Sequence, residues 1–563
     1  MSHFSSCCSH FILAEARGLQ DWDYIVILLY MIGVVSVGVF LSKRQRDSED
    51  YFLGGRKIPW FAAGLSLVAS VISTVSYLGV PGETIRHGLA NAASNWVIPL
   101  AFVVVIFAWL PFFMRLRLTS VYEYLEKRFG LAARLVGVSL FVLILRLGWM
   151  ALIVLTLSGA VGQITYPSAS NLLSSTFGWQ VSLQGWLLLV MVAAGLLATL
   201  YTMLGGIKAV IWTDVAQYFI LMAGGILTIV IIARDTGTGP SQWWHMLSSV
   251  KHTPVVVASW DLSERTTLLW VTLYTFFWYV CSYAGDQVAM QRYFSTPSVR
   301  SAVWASITNC IGSLLLAAVL AFCGMALLTY YTNFPQEIVN GITNPQDPAA
   351  ADNVFPHFIG HGLPVGVSGL VVAALFAVAM SSFDSGINSV STVVTVDVFR
   401  RLKPGRSGRD ELVLARILTV IIGAGVTGLA VAMMYLPKDW NIIDISLRVV
   451  DTALGPLGAM FIVGILLPHV GQCAIVIAAL CGFGVALVMA WWVELGWFLG
   501  FIEGQTLDVA IQTASRPSSF LVLPFSLLFT FLLAAILGAF MLSPEPEKIK
   551  ALTWRAVVFG NSR

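Results

Sequence analysis

The chain alternates long apolar stretches with short polar breaks. Runs of about 20 apolar residues, the length a helix needs to cross a bilayer, begin near Trp22, Pro59, Asn91, Ala133, Ser182, Ala209, Thr267, Ser301, Pro364, Asp410, Asn441, Gly471 and Pro517. This pattern predicts an all-α polytopic membrane protein with about 13 transmembrane helices. Composition points the same way. The 563 residues are 58% hydrophobic and 11% charged, where a soluble domain carries roughly 25% charge.

The basic residues set an orientation. With the N-terminus outside, inner segments hold 23 of the 32 Lys and Arg residues and outer ones 7, while Arg146 and Arg448 fall inside spans. Cytoplasmic loops carry such an excess, so the expected topology is N-out and C-in, with the loops Lys43 to Lys57, Arg115 to Arg134 and Arg400 to Arg416 in the cytoplasm. The net charge of +3 is thus topological and implies no nucleic-acid partner.

Polar segments are short, the longest being Arg234 to Thr266 and Thr332 to Gly362, both expected outside, with a tail after Ser543. No glycine-rich phosphate loop is present, so ATP is not the expected energy source. The first residues lack the basic start and apolar core of a signal peptide. The seven cysteines (Cys7, Cys8, Cys281, Cys310, Cys323, Cys473, Cys481) show no metal spacing and read as small buried apolar residues. His357 and His361 are spaced i, i+4 in a polar segment, read as a solvated loop without a third metal ligand.

One apolar run carries unexpected polarity. In "AVAMSSFDSGINS", from Ala377 to Ser389, residues Ser381, Asp384, Ser385 and Asn388 stand at i, i+3, i+4 and i+7 and share one helix face. An aspartate at mid-membrane costs about 2.5–3.5 kcal/mol on insertion scales and faces a partner or cavity. Close helix packing accounts for Gly386 and for Ser389 or Ser391. A carboxylate among hydroxyls is instead a set of oxygen ligands for a hard cation. Such a site also needs backbone carbonyls, which broken helices supply. Two spans read as broken: the second, where Val68 to Ser76 mixes β-branched residues with serines, and the seventh, interrupted at Gly285 and Asp286. They lie five spans apart, so each is placed to open a five-helix repeat.

Several motifs together resemble the sodium:solute symporters: "DYFLGGRKIPWFAAGLSLVAS" from Asp50, "TSVYEYLEKRFG" from Thr119, "GGIKAVIWTDVAQ" from Gly205, "QRYFST" from Gln291, and the serine-rich run. The resemblance spans about Asp23 to Pro544. It implies a leucine-transporter-like fold: a peripheral helix at 22–42, two inverted repeats at 59–233 and 267–468, two further helices at 471–542 and a cytoplasmic tail at 543–563. It also implies a plasma-membrane symporter, not an enzyme, driven by Na+ as coupling ion. The expected Na+ ligands are the carbonyls of Ala69, Ile72 and Val378 with the hydroxyls of Ser381 and Ser382. A second Na+ position matches Asp214, Ser381, Asp384 and Ser385. Asp384 stands where most members carry a small residue, so either a stronger second site or pH-sensitive transport is expected, with one carboxyl pKa raised by the other.

Position in the family points to Ser73, Ser76, Tyr77, Tyr279, Tyr283 and Arg448 around the solute. An arginine there suits a carboxylate, although Arg448 also has Asp444 and Asp451 at i−4 and i+3. "LGVPGETIRHG" from Leu78 resembles the iodide, multivitamin and monocarboxylate branch, whose solutes are anions. The arginine that sialic acid members use is replaced by Trp149, with Arg146 one turn earlier. The expected cargo is therefore a small, carboxylate-bearing solute. A sugar or polyol is the alternative within the family; an intramembrane aspartyl protease pairing Asp214 with Asp384, a channel, or a transport-like sensor are alternatives outside it.

Overall fold

The structure, a computed structural model, describes residues 19–42, 48–251, 256–262, 264, 266–335, 351–402, 408–434, 442–499, 518–541 and 552–559. The N-terminal segment with Cys7 and Cys8 lies outside these. All regular structure among the described residues is helical. Among the described residues, ten helices are long and apolar enough to cross a membrane, and the bent pair Trp60–Val71 and Thr74–His87 adds an eleventh. Helices Asp21–Ser42 and Leu268–Gly285 occupy the two remaining apolar stretches.

Burial sorts these helices into an interior and a rim. The serine-rich helix Val367–Leu402 is 89% buried over its most apolar window, whereas Asp410–Met433 is only 28% buried. Hydrophobic side chains such as Phe107, Phe219 and Leu143 point outward, as lipid-facing positions must. Polar side chains therefore concentrate at the centre, where they find partners instead of hydrocarbon.

The breaks are local and have sequence causes. The helix after Ser182 runs to Thr236 with one interruption, at Gly206 (φ 55°, ψ −166°), a conformation that glycine reaches without steric cost. Asp286 (φ −88°, ψ 114°) separates Leu268–Gly285 from Gln287–Phe294. A π-helical turn over Leu140–Arg146 ends at Arg146; such turns re-aim the side chains that follow them. Gly386 permits a close crossing, since a Cβ there would stand 2.4 Å from the Met150 sulfur. Ser389 donates to Gln291 Oε1 (2.8 Å) and Ser391 to the Ala415 carbonyl (3.0 Å), which makes both packing residues.

Two expectations are corrected, and one polar segment proves to hold a helix. His357 and His361 lie on a helix, Ala351–His361, not in a loop: Val354, Phe355, Phe358 and Ile359 give that segment an apolar face that buries. His357 Nδ1 meets the Tyr331 hydroxyl at 2.6 Å and its ring stacks on His361. The long polar segment after Arg234 contains a helix, Pro240–Lys251, that packs its buried Trp243 and Leu247 inward. Finally, Cys281 and Cys323 are buried, but Cys473 and Cys481 are exposed on the rim helix Gln472–Ala490, where a thiol costs little against lipid.

Candidate functional site

The 63° bend in the second span comes from a short extended segment. Ile72 (φ −84°, ψ 126°) and Ser73 (φ −115°, ψ 176°) leave the helical region. Branched Val71 and Ile72 lose rotamer freedom in a helix, and serine competes for backbone groups, so this is where the helix yields. In an unbroken helix the Ala69 carbonyl would accept from the amide four residues on; the break removes that partner.

The serine-rich helix meets the freed carbonyls. Ser381 donates to Ala69 O (2.8 Å) and Val378 O (3.0 Å), and Ser382 to Ile72 O (3.2 Å) and Ser70 O (3.3 Å). All five oxygens expected around Na+ are thus neighbours, joined by the Ser70 carbonyl. They are hard, neutral oxygen donors, and Ser73 Oγ and Thr74 Oγ1 beside them are buried without hydrogen-bond partners. That chemistry fits a small hard cation.

Toward the other end of Trp60–Val71 lies a denser polar cluster. Asp214 Oδ2 accepts from Ser66 Oγ (2.5 Å), Ser70 Oγ (3.2 Å) and Arg292 Nη2 (3.1 Å). Arg292 also donates to Ser385, and through Nε to Ser66 Oγ (2.7 Å). Asp384 takes the Tyr201 hydroxyl on Oδ2 and Ser385 on Oδ1 at 3.4 Å. Asp214, Asp384 and Ser385 therefore share one network through Arg292 and Ser70, whereas the Ser381 hydroxyl turns to the Ala69 and Val378 carbonyls. Sequence reasoning missed Ser66, Ser70, Tyr201 and Arg292. Arg292 had a signal, its place in "QRYFST", but counts by position among loop cations; in the fold it is fully buried and carries the positive charge that faces Asp214.

A cavity of about 250 Å³ opens beside the first cluster. Ser76, Tyr279 and Tyr283 line it, together with Trp149, Trp278 and Tyr274. Arg146 and Asp286 are ion-paired in its wall, and Arg146 Nε is buried without a partner. Ser73, Tyr77 and Arg448 do not border it. Tyr77 turns away, donating to the Leu221 carbonyl (3.3 Å) with its ring against Phe355; one residue along a helix is a rotation of about 100°, enough to separate it from Ser76. Arg448 pairs with Glu494 (2.8 Å) and lies over the Trp491 ring. The intrahelical pair with Asp451 does not form, since both Asp451 carboxylate oxygens lack a hydrogen-bond partner of normal geometry; the Asp444 side chain lies outside the described residues. Glu494 draws the guanidinium because it arrives from another helix, Trp492–Phe498.

Residues 51–482 match the sodium:solute symporter family. The chain belongs to that family. It is a multi-pass, sodium-coupled solute transporter and not an enzyme. It is similar to the sodium/sialic acid symporter NanT of Aliivibrio fischeri, 28% identical over 509 residues that cover 89% of this chain and 94% of the relative. The human sodium/iodide cotransporter is 29% identical, over 88% of this chain and 73% of its own. Human sodium-coupled monocarboxylate transporter 1 is also 29% identical, with coverage of 84% and 73%. The fold is that of a Na+-coupled sialic acid symporter solved in a substrate-bound outward-open state: TM-score 0.77 at 24% identity, over 94% of this chain and 99% of the other. Membership of a family of solute transporters sets aside the intramembrane aspartyl protease.

Proposed function

We propose that this symporter imports a carboxylate-bearing solute across the plasma membrane, with Arg146 as the carboxylate anchor. One observation carries the reading: a guanidinium in the wall of an aromatic cavity, with one N–H unspent. Arginine binds carboxylates through two parallel N–H donors, and the fork geometry makes such contacts strong and directional. This moves the anchor from Arg448, which Glu494 already occupies. A sugar or polyol would use the aromatic walls and could accept from that N–H through a hydroxyl, but it lacks the charged pair of parallel acceptors that suits a guanidinium.

In this reading Na+ binds the carbonyls of Ala69, Ile72 and Val378 and the hydroxyls of Ser381 and Ser382. A second ion engages Asp214, Ser381, Asp384 and Ser385. The breaks at Ile72 and Asp286 open two inverted five-helix repeats, 59–233 and 267–468, in a topology of about 13 spans with the N-terminus outside. Ser70 links the two halves of the machine: its carbonyl accepts from Ser382 and its hydroxyl touches Asp214 and Ser385. Ser70 and Ile72 border the cavity while their carbonyls meet Ser382, so filling either site orders backbone that the other uses. A tenfold Na+ gradient contributes about 1.4 kcal/mol and 100 mV about 2.3 kcal/mol per charge, so one ion suffices for a several-hundredfold accumulation of a neutral solute.

The test is uptake into proteoliposomes with an inward Na+ gradient. Wild type accumulates a carboxylate solute and Arg146→Gln does not, while Arg146→Gln still shows Na+-dependent thermal stabilisation. Equal uptake by Arg146→Gln and wild type would refute the anchor.

A further inference from the structure

We infer that the transported solute is a zwitterion, an α-amino acid whose carboxylate meets Arg146 and whose ammonium group meets Asp286. The inference rests on the carboxylate reading above and extends it. Arg146 and Asp286 are the only charged residues among the described lining of the cavity. They are joined directly, and each keeps about a tenth of its side chain exposed.

Asp286 is placed to do more than neutralise Arg146. It occupies the break between Leu268–Gly285 and Gln287–Phe294, and its Oδ1 caps the second helix by accepting from Val288 N at 2.9 Å. Only Oδ2 faces Arg146. Each carboxylate oxygen has room for two donors, so capping and binding are compatible.

The charge pattern discriminates between solutes. A plain carboxylate approaching Arg146 must share the guanidinium with Asp286, and two carboxylates in a dry site repel. A plain amine meets the opposite conflict at Arg146. An α-amino acid adds one charge of each sign with a single carbon between them, the spacing that a directly paired Arg and Asp require. The four charges then alternate in sign, and the cavity stays neutral. Rejection of the singly charged analogues is built in by the unwanted neighbour, not only by lost contacts. Trp149, Trp278 and Tyr279 offer apolar faces to the amino-acid side chain and can also receive the ammonium group.

Purified full-length protein is titrated, with and without Na+, against the standard L-amino acids and against matched partners lacking one charge: L-leucine beside 4-methylpentanoate and 3-methylbutylamine, L-alanine beside propionate and ethylamine. At least one amino acid is expected to bind in a Na+-dependent manner ten times or more tighter than its deaminated partner. Asp286→Asn, which preserves the helix cap, is expected to weaken that amino acid tenfold or more while leaving the deaminated partner as tight or tighter. Wild type binding the plain carboxylates as well as the amino acids overturns the zwitterion and leaves the carboxylate reading standing. Binding of the amines alone, or of no compound in the panel, overturns both.

Discussion

The Ser381 hydroxyl lies 2.8 Å from the Ala69 carbonyl, although 312 residues separate them in the chain. This contact ties the serine-rich helix to the break in the second span. It exists because the break strips that carbonyl of its helical partner, and because one face of the buried helix presents serines where a membrane interior would otherwise demand apolar groups.

Ser381→Ala and Ser382→Ala each remove one oxygen of the proposed Na+ site while its backbone carbonyls remain. Either substitution is expected to raise the Na+ concentration for half-maximal uptake by about tenfold, equivalent to about 1.4 kcal/mol. The double variant should lose Na+ dependence. Measuring solute uptake against Na+ concentration tests this, and an unchanged Na+ curve in the double variant would remove the site.

Arg448 and Glu494 form a mostly buried pair away from the cavity. Breaking such a pair strands a charge, at a cost of about 3–5 kcal/mol, whereas replacing both partners with apolar residues is often neutral. Arg448→Met should therefore lower thermal stability, and adding Glu494→Leu should restore most of it. Solute KM should not move in the double variant. A selective rise in KM would return Arg448 to the solute site.

Gly386 and Met150 make the close crossing of the serine-rich helix. Gly386→Ala places a methyl group within 2.4 Å of the Met150 sulfur, and overpacking of this kind costs about 1–3 kcal/mol. Lower thermal stability is expected, with recovery on adding Met150→Ala. Failure of the second substitution to recover stability would show that the strain lies elsewhere.

His357 links stability to pH. Burial, and secondarily the neighbouring His361, push its pKa down from 6.5 to about 4. The neutral ring is thus favoured in the folded protein, and its hydrogen bond with Tyr331 holds it in place. A depressed pKa means that the stability is present above about pH 6.5 and is lost as pH falls toward 4. Melting temperature should drop over that range in wild type and drop less in His357→Gln. Parallel profiles for the two proteins would exclude the histidine as the cause.

What could be read along the chain followed from solvent. A bilayer demands that spanning backbone satisfy its own hydrogen bonds, which runs of about 20 apolar residues do as helices. Their placement and the serine-rich face at Ser381, Ser382 and Asp384 were therefore visible without coordinates. The break near Ile72 was visible too, because branched residues and serines weaken a helix locally. Which charges meet was decided only by tertiary structure. Arg146, Arg292 and Arg448 look alike in a sequence, yet one meets Asp286, one Asp214 and one Glu494. Each pairing joins helices distant in the chain, and helical periodicity records which residues share a face but not which face lies opposite. The π-helical turn before Arg146 adds a rotation that no spacing rule contains. That is why the sequence pointed to Arg448 as the solute's anchor, while the fold places Arg146 in the cavity wall.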